Sequence, residues 1–520
     1  MISKKWVSVS LVLILLFLIS FFHIRLRDYA FDDAYIHFRV ARNFVETGYP
    51  YYNANDILKV STNTAWMLLL TLIYSSLQLF HLQESLPLFV SILNTLCTFF
   101  CLLIYLKLVE KIVEKNVSFT QKSIFFISFT GLLLPSSIGL METPISLLVF
   151  GLGLILITSQ KPIGGLFIGI SIYFRIEMVI PALIAFLFLL LKKQLNWKPI
   201  LWGLMGVLPF LVFDLYYFGT IIPQSIIAKP VVYDLKRSQT LSTILFTSIP
   251  PTNLFDSTAL NAIIFVVLII LVFYTLIKRK CINLECTLFF WGWGVSIITF
   301  YLVGKAFVFE WYQALYTIPL FLSCFILYEK TKIKVIKIHL IVFSIILSTG
   351  LFSTLLASLG HYQRYSYFVG GSRVKTYLNV GKILYAEYPD SDLLTSEIGG
   401  LGYSFQGEII DAAGLATDQA LVFHPMLVPQ ERSSEGIGGI PPAFVHQVKP
   451  DLIVSYEHFI EALLKDNILD EYSEILVPAF LPEDERFSEG RTIWGSKYLR
   501  IYVRKGLPIS TELLDYLRDE

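Results

Sequence analysis

Charge is what this chain has least of. Only 16% of its 520 residues are Asp, Glu, Lys or Arg, whereas 55% are hydrophobic and 15% aromatic, and the mean hydropathy is +0.65. Soluble globules carry about a quarter of their residues as charges, so composition excludes that class and points to a polytopic α-helical membrane protein. A net charge of +1 leaves no whole-molecule field to draw in nucleic acid, so any electrostatic recognition must be local. Cysteine is scarce as well. Cys97, Cys101, Cys281, Cys286 and Cys324 all lie in or beside apolar segments, and the polar stretch after residue 324 has neither a disulfide framework nor a zinc-type cluster. There is no glycine-rich phosphate loop of the kind that cradles a nucleotide, no internal repeat and no low-complexity linker.

What the chain does have is apolar runs. About 20 such residues cross a bilayer, and candidates fall near 6–22, 86–106, 122–138, 142–158, 162–176, 178–191, 197–218, 257–277, 284–303, 308–328 and 334–357. The first follows Lys4 and Lys5 and has no small-residue cleavage site behind it, so it reads as an uncleaved anchor, with a signal peptide as the competing reading. The basic clusters Lys4-Lys5, 107–122, Lys192-Lys193, 278–280 and 330–337 all fall on the cytoplasmic side only if a further apolar run, 65–80, does not cross. The expectation is therefore about eleven transmembrane helices in a module spanning 1–358, with the N-terminus inside. Its first outer loop is 23–85, and 65–80 is an interfacial or re-entrant helix. Residues 359–520 have the composition of a small extracytoplasmic α/β domain. There Arg373 to Tyr388 reads as a helix, and DLLTS, GEIIDAAG, KPDLIVSY and KYLRIYVRK read as strands.

Polar residues gather at the expected outer ends. FDDAYIHFRVARNFVETG opens with Asp32 and Asp33 and reads as a helix running to Thr47 and stopped by Gly48. Asp32 fits the N-cap of that helix, and Asp33 suits the positive end of its dipole. Equally, exposed carboxylates at a membrane face suit a general base for an acceptor hydroxyl, or a divalent cation such as Mg2+ or Mn2+. His37, Arg39, Arg42, Lys59, Arg175, Lys229 and Lys305 are cations at the same ends. Arginine suits a phosphate because its planar fork binds two oxygens at once, while Lys59 and Lys305 read better as interfacial snorkels. Arg175 lies between two apolar runs, where an ionisable group is costly unless paired or functional; Glu142 and Glu177 are the candidate partners. Glu142 also fits a helix start before Pro144. The loop 218–230 is apolar yet expected outside, which suits a lipid tail or lipid-phosphate head group, or else packing against the C-terminal domain.

Taken in order, DDAYIHFRVARNFVETG, KVSTNTAW, GLMETP, YFRIE, PQSIIAKP, EWYQALYTIP, SEIGGLGYSFQGEIIDAAGL and KPDLIV resemble the GT-C superfamily of membrane glycosyltransferases, and within it the mycobacterial terminal β-1,2-arabinofuranosyltransferase family and its bacterial relatives. The resemblance covers most of the chain. It implies an enzyme of the bacterial cytoplasmic membrane, multi-pass, that moves a hexose or pentose from a polyprenyl-phosphate donor to a glycan, lipid or protein acceptor of the cell envelope. Asp32 and Asp33 match the acidic pair of the first outer loop, the catalytic signature. Arg39, Arg175, Lys229 and Gln224 match donor- or phosphate-binding positions, with Gln224 standing where the family has Asn. His37, Ser61, Asn63, Trp66, Glu142, Glu177, Trp311 and Tyr312 match substrate-binding or site-shaping positions. Lys59-Val60 replaces the family's usual glycine-tyrosine. The implied reaction is a single displacement with inversion, one Asp as base and cations holding the departing phosphate. Two other classes compete: a lipid or sugar transporter or flippase, which commonly shows internal repeats and mid-membrane sites, and a glycan-binding membrane protein with no chemistry for the acidic pair.

Overall fold

The computed structural model describes residues 4–54, 56–191, 197–247, 285–360, 367–426, 439–479 and 495–511, with the isolated residues 263, 266, 267, 269, 270, 273 and 493. Wherever a described apolar run stands the backbone is helical, because in hydrocarbon every peptide group must find its hydrogen-bond partner within the segment. In chain order the helices are α1 (Lys4–Leu26), α2 (Asp32–Thr47), α3 (Thr64–Gln78), α4 (Leu86–Val113), α5 (Phe119–Ile138), α6 (Thr143–Thr158), α7 (Gly164–Phe174) and α8 (Val179–Leu191). There follow α9 (Lys198–Phe218), α10 (Gln224–Tyr233), α11 (Arg237–Thr247), α12 (Glu285–Val303), α13 (Ala314–Thr331), α14 (Lys334–Ser358), α15 (Tyr367–Glu387), α16 (Gly400–Phe405) and α17 (Pro442–Val448).

Among the described residues, five helices are long and apolar enough to cross a membrane: Gln83–Val113, Lys198–Phe218, Glu285–Val303, Glu310–Thr331 and Lys334–Ser358. The apolar helices Leu13–Leu26, Thr64–Gln78, Thr143–Thr158, Gly164–Phe174 and Ile176–Leu189 are shorter. The molecule is thus a helical membrane protein with a small C-terminal sheet. The run expected at 257–277 lies outside the described residues apart from isolated positions. α9 buries only 17% of its most apolar stretch, yet it is held firmly. A Cβ on Gly165 would stand 1.8 Å from the Pro199 carbonyl oxygen, and one on Gly169 2.2 Å from that of Gly203. Small residues let the α7 and α9 backbones touch, which is how helices associate when lipid is as apolar as leucine.

Three expectations are corrected here. Helix α2 runs to Thr47 and stops at Gly48, whose φ of 79° suits glycine, but it begins one residue earlier in register than the N-cap reading required. Phe31, in extended conformation, occupies the cap position and Asp32 is already helical, so the Asp32 side chain is released for another partner. The stretch 218–230, expected as an apolar loop, runs into helix α10 from Gln224. The helix expected from Arg373 starts at Tyr367.

The C-terminal part forms a five-stranded sheet from β1 (Asp392–Thr395), β2 (Glu408–Asp411), β3 (Leu452–Tyr456), β4 (Tyr472–Pro478) and β5 (Tyr498–Arg504), in the order β2-β1-β3-β5-β4. β1 pairs parallel with β2 and with β3, and β5 pairs antiparallel with β3 and β4. Central β3 is buried throughout, as a strand covered on both faces must be. Edge strand β4, which composition did not reveal, alternates burial. In such open α/β sheets the crevice lies beyond the carboxyl ends of the parallel strands. Here that crevice, at residues 396–400 just after β1, receives the start of α2.

Candidate active site

Successive residues on a helix point about 100° apart, and the acidic pair splits accordingly. Asp32 faces the sheet. Its Oδ2 accepts the Gly399 N–H and its Oδ1 the Gly400 N–H, both at 2.8 Å, and it is 9% exposed. Burial pushes its carboxyl up, against the pull of Arg373 and of those two N–H groups. Asp33 faces the other way. Its side chain is 30% exposed, and the Lys229 Nζ of α10 lies 3.9 Å from its Oδ2.

Lys229 reaches Asp33 because α10 is amphipathic. Gln224, Ala228 and Val232, four residues apart, are buried, while Ile226 and Ile227 on the opposite face are 45% and 49% exposed. The Lys229 ammonium donates to the Tyr312 hydroxyl at 3.4 Å and sits 5.1 Å over the Phe309 ring and 5.9 Å over that of Tyr312. Burial opposes its charge, but Tyr312, Asp33 and Tyr233 outweigh burial and hold its pKa above the ordinary lysine value. Trp311 stacks flat on Phe309, centroids 4.6 Å apart, and also packs on Phe31. The aromatic wall under the lysine is thereby tied to the start of α2.

Tyr312 carries a second cation on its ring, Arg175, at 4.5 Å. The extended backbone of Arg175, φ −159°, ends α7 before a short 3-10 turn leads into α8. Its Nη1 donates to Glu142 Oε1 at 2.8 Å and to Thr143 Oγ1 at 2.9 Å, and its Nη2 to Glu177 Oε1 at 3.0 Å. Tyr301 adds a hydroxyl donor to that same Glu177 oxygen at 3.1 Å. Arg175 thus pairs with both expected carboxylates. Glu142 Oε2 and Arg175 Nε have no hydrogen-bond partner among the described residues. His37, one turn beyond Asp33 on the same face of α2, meets Ser61 Oγ through Nδ1 at 2.9 Å. Burial, with repulsion from Arg175 and Lys229, pulls its pKa down to about 3, so its imidazole is neutral.

The remaining expected site residues go elsewhere. Arg39 is placed among structural contacts and not among the cations near Asp33: it donates to the carbonyls of Tyr52, Gly402 and Gly407 and to Asn53 Oδ1, with its guanidinium over the Tyr52 ring. Gln224 spends its amide on the Gly414 carbonyl at 3.2 Å. Asn63 stands at the start of α3, its carbonyl accepting the Met67 N–H at 2.9 Å. Trp66 is fully buried in the core beside α2. Lys59 is no snorkel, since it forms a buried ion pair with Asp214.

The two carboxylates do not converge on a common point. Each Asp32 oxygen already accepts a backbone N–H group, and the neighbour of Asp33 is an ammonium. That donor set does not fit a divalent cation, which needs several oxygens aimed at one centre, and no group of three or more His, Cys, Asp or Glu suited to an ion occurs among the described residues. Sequence reasoning missed Thr143, Tyr301 and Phe309, which no local pattern distinguishes from core. It also missed the role of Gly399 and Gly400, although the doubled glycine in SEIGGLG marks a place where another backbone comes close. No protein-family model matches the chain, and neither does any curated protein.

Proposed function

We propose that the protein is an inverting glycosyltransferase of the GT-C kind that moves a sugar from a polyprenyl-phosphate donor, with Asp33 as general base. The observation that carries this reading is one half-exposed carboxylate facing a lysine, with Tyr312 bridging that lysine to a buried arginine. The acceptor hydroxyl oxygen attacks the anomeric carbon while Asp33 takes its proton. The bond from that carbon to the phosphate oxygen breaks, and its electron pair leaves on the phosphate. Negative charge grows there, and a fixed cation in a dry site is worth most where charge develops. Lys229 is that cation, on the exposed side of Tyr312. Arg175, its charge matched by Glu142 and Glu177, steadies the Tyr312 ring.

Two features favour a lipid-linked donor. Ile221, Ile222, Ile226 and Ile227 are exposed by 45–49% around the helix that carries Lys229, and they follow directly on the outward face of α9, whose Leu208, Val212 and Leu215 are also exposed. This suits a prenyl chain lying beside α10 with its phosphate at Lys229. On this reading the apolar runs make eleven crossings, α3 lies at the interface, and the sheet stands on the extracytoplasmic side of the bacterial inner membrane.

The test is transfer by purified protein in detergent from a panel of polyprenyl-phosphate sugars. Wild type transfers at least one of them, and Asp33→Asn, folded and monodisperse, transfers none. Full activity in Asp33→Asn would sink the assignment.

A further inference from the structure

We infer that Asp32 is a positioning residue: by holding the backbone N–H groups of Gly399 and Gly400, it clamps the start of α2 to the sheet and so aims Asp33 at Lys229. The inference rests on the transferase reading and divides the acidic pair into one group that reacts and one that orients it.

Three observations carry it. First, each Asp32 oxygen accepts a backbone N–H at 2.8 Å, and the residue is 9% exposed. A base must reach the proton it removes, and Asp32 has no open path to one. Second, the contact has no slack. A Cβ on Gly399 would stand 1.9 Å from the Asp32 carbonyl oxygen and 2.5 Å from its Cγ. Third, the clamp is one of a row along the same strip. From α2, Arg39 donates to the carbonyls of Gly402 and Gly407, and Arg42 to that of Tyr403. From the loop after α2, the Tyr52 hydroxyl donates to the Ile398 carbonyl, and the Asn53 amide both donates to and accepts from the Ile409 backbone, as a neighbouring strand would. Residues 398–409 are therefore held by α2 at Asp32, Arg39 and Arg42 and by the loop after it at Tyr52 and Asn53, and Asp32 is the contact nearest the reacting group.

The leverage is geometric. A side-chain end lies roughly 6 Å from the axis of its helix, so turning α2 by about 10° displaces the Asp33 carboxylate by about 1 Å. A misplacement of that size costs about 100-fold in rate. Losing the clamp lets the start of α2 pivot about Phe31 without unfolding the helix, whose later turns Arg39 and Arg42 still hold. Its first residues stay pinned by Phe31, whose N–H donates to the Gly139 carbonyl at 3.3 Å and whose ring fills the space beside Gly139.

The test compares wild type, Asp32→Asn, Gly399→Ala, their double variant and Asp33→Asn, each purified whole. Two readouts are taken: steady-state transfer across pH with a donor that wild type uses, and hydrogen exchange of the 398–409 amides. Asp32→Asn is expected to lose about 10- to 100-fold in kcat with little change in donor KM. It keeps the shape of the wild-type pH profile, and its Gly399 and Gly400 amides exchange faster. Gly399→Ala does the same, and the double variant is no worse than either single, because both act through one contact. If Asp32→Asn is as inactive as Asp33→Asn, or its pH profile changes shape, with amide protection unchanged, Asp32 is the reacting group and the inference is overturned. If wild type uses no donor, the transferase reading fails, and the exchange data alone decide whether the clamp exists.

Discussion

Replacing Lys59 by methionine tests how the first loop is anchored. The Lys59 side chain is 3% exposed and that of its partner Asp214, near the end of α9, is fully buried. Lys59 also donates to the Ile221 carbonyl at 3.2 Å, and its own carbonyl receives the Gln224 N–H at 2.9 Å. One residue thus joins the loop before α3, the end of α9 and the start of α10. At an effective dielectric of about 20, touching unit charges attract by roughly 5 kcal/mol, but removing both from water consumes most of that, so the intact pair contributes little net. Breaking it is another matter. An uncompensated buried charge costs about 3–5 kcal/mol. Thr64 Oγ1 still donates to Asp214 at 2.7 Å, which places Lys59→Met near the lower end, about 3 kcal/mol or roughly 3 °C in melting temperature for a chain of 520 residues. The double variant Lys59→Met/Asp214→Leu restores charge balance and returns to within about 1 kcal/mol of wild type. Thermal unfolding in detergent measures both. A single variant that loses less than about 1 kcal/mol would refute the reasoning, because it means water reaches the Asp214 carboxylate.

On the proposed transferase reading, chelation of divalent ions with EDTA is expected to leave sugar transfer at its original rate, since Asp32 and Asp33 do not aim at one centre; a loss that Mg2+ or Mn2+ restores contradicts this. Burial pushes the Asp411 carboxyl up to about 6, while an unfolded carboxyl titrates near 4. Between those values the folded chain binds more protons than the unfolded one, so Asp411 makes stability fall as pH rises, by about 3 kcal/mol in all. Melting temperatures measured from pH 4 to pH 7 fall more steeply in wild type than in Asp411→Asn; parallel curves contradict the assignment.

How much of this was legible depends on distance along the chain. Helix α2, its Gly48 stop, β1, β2, β3 and β5 each announce themselves through a local pattern. The tasks of the side chains do not. Asp32 looks like a cap and Arg39 like a phosphate cation because those are the local options, whereas their partners lie 367 and 363 residues away. Arg175 illustrates the intermediate case. A charge between apolar runs announces that it must be paired, but not that it pairs with Glu142 and Glu177 together. Helix α10 went unread because its isoleucines and Pro230 resemble a greasy loop, and only burial at every fourth residue shows which face turns inward.

The grip of α2 on residues 398–409 also sets a schedule. The acidic pair emerges among the first residues made, but its clamp is complete only after Gly400, 368 residues later. At synthesis rates of roughly 5–20 residues per second, that interval is about 20–70 s. Through that time the start of α2 is held by Phe31 against Gly139 but not yet by the sheet. Such a long-range contact forms late, since its loop-closure entropy is met before any of its bonds exist. A nascent or truncated chain would thus carry its described membrane helices without the clamp, so on the transferase reading catalysis waits until the last third of the protein has folded.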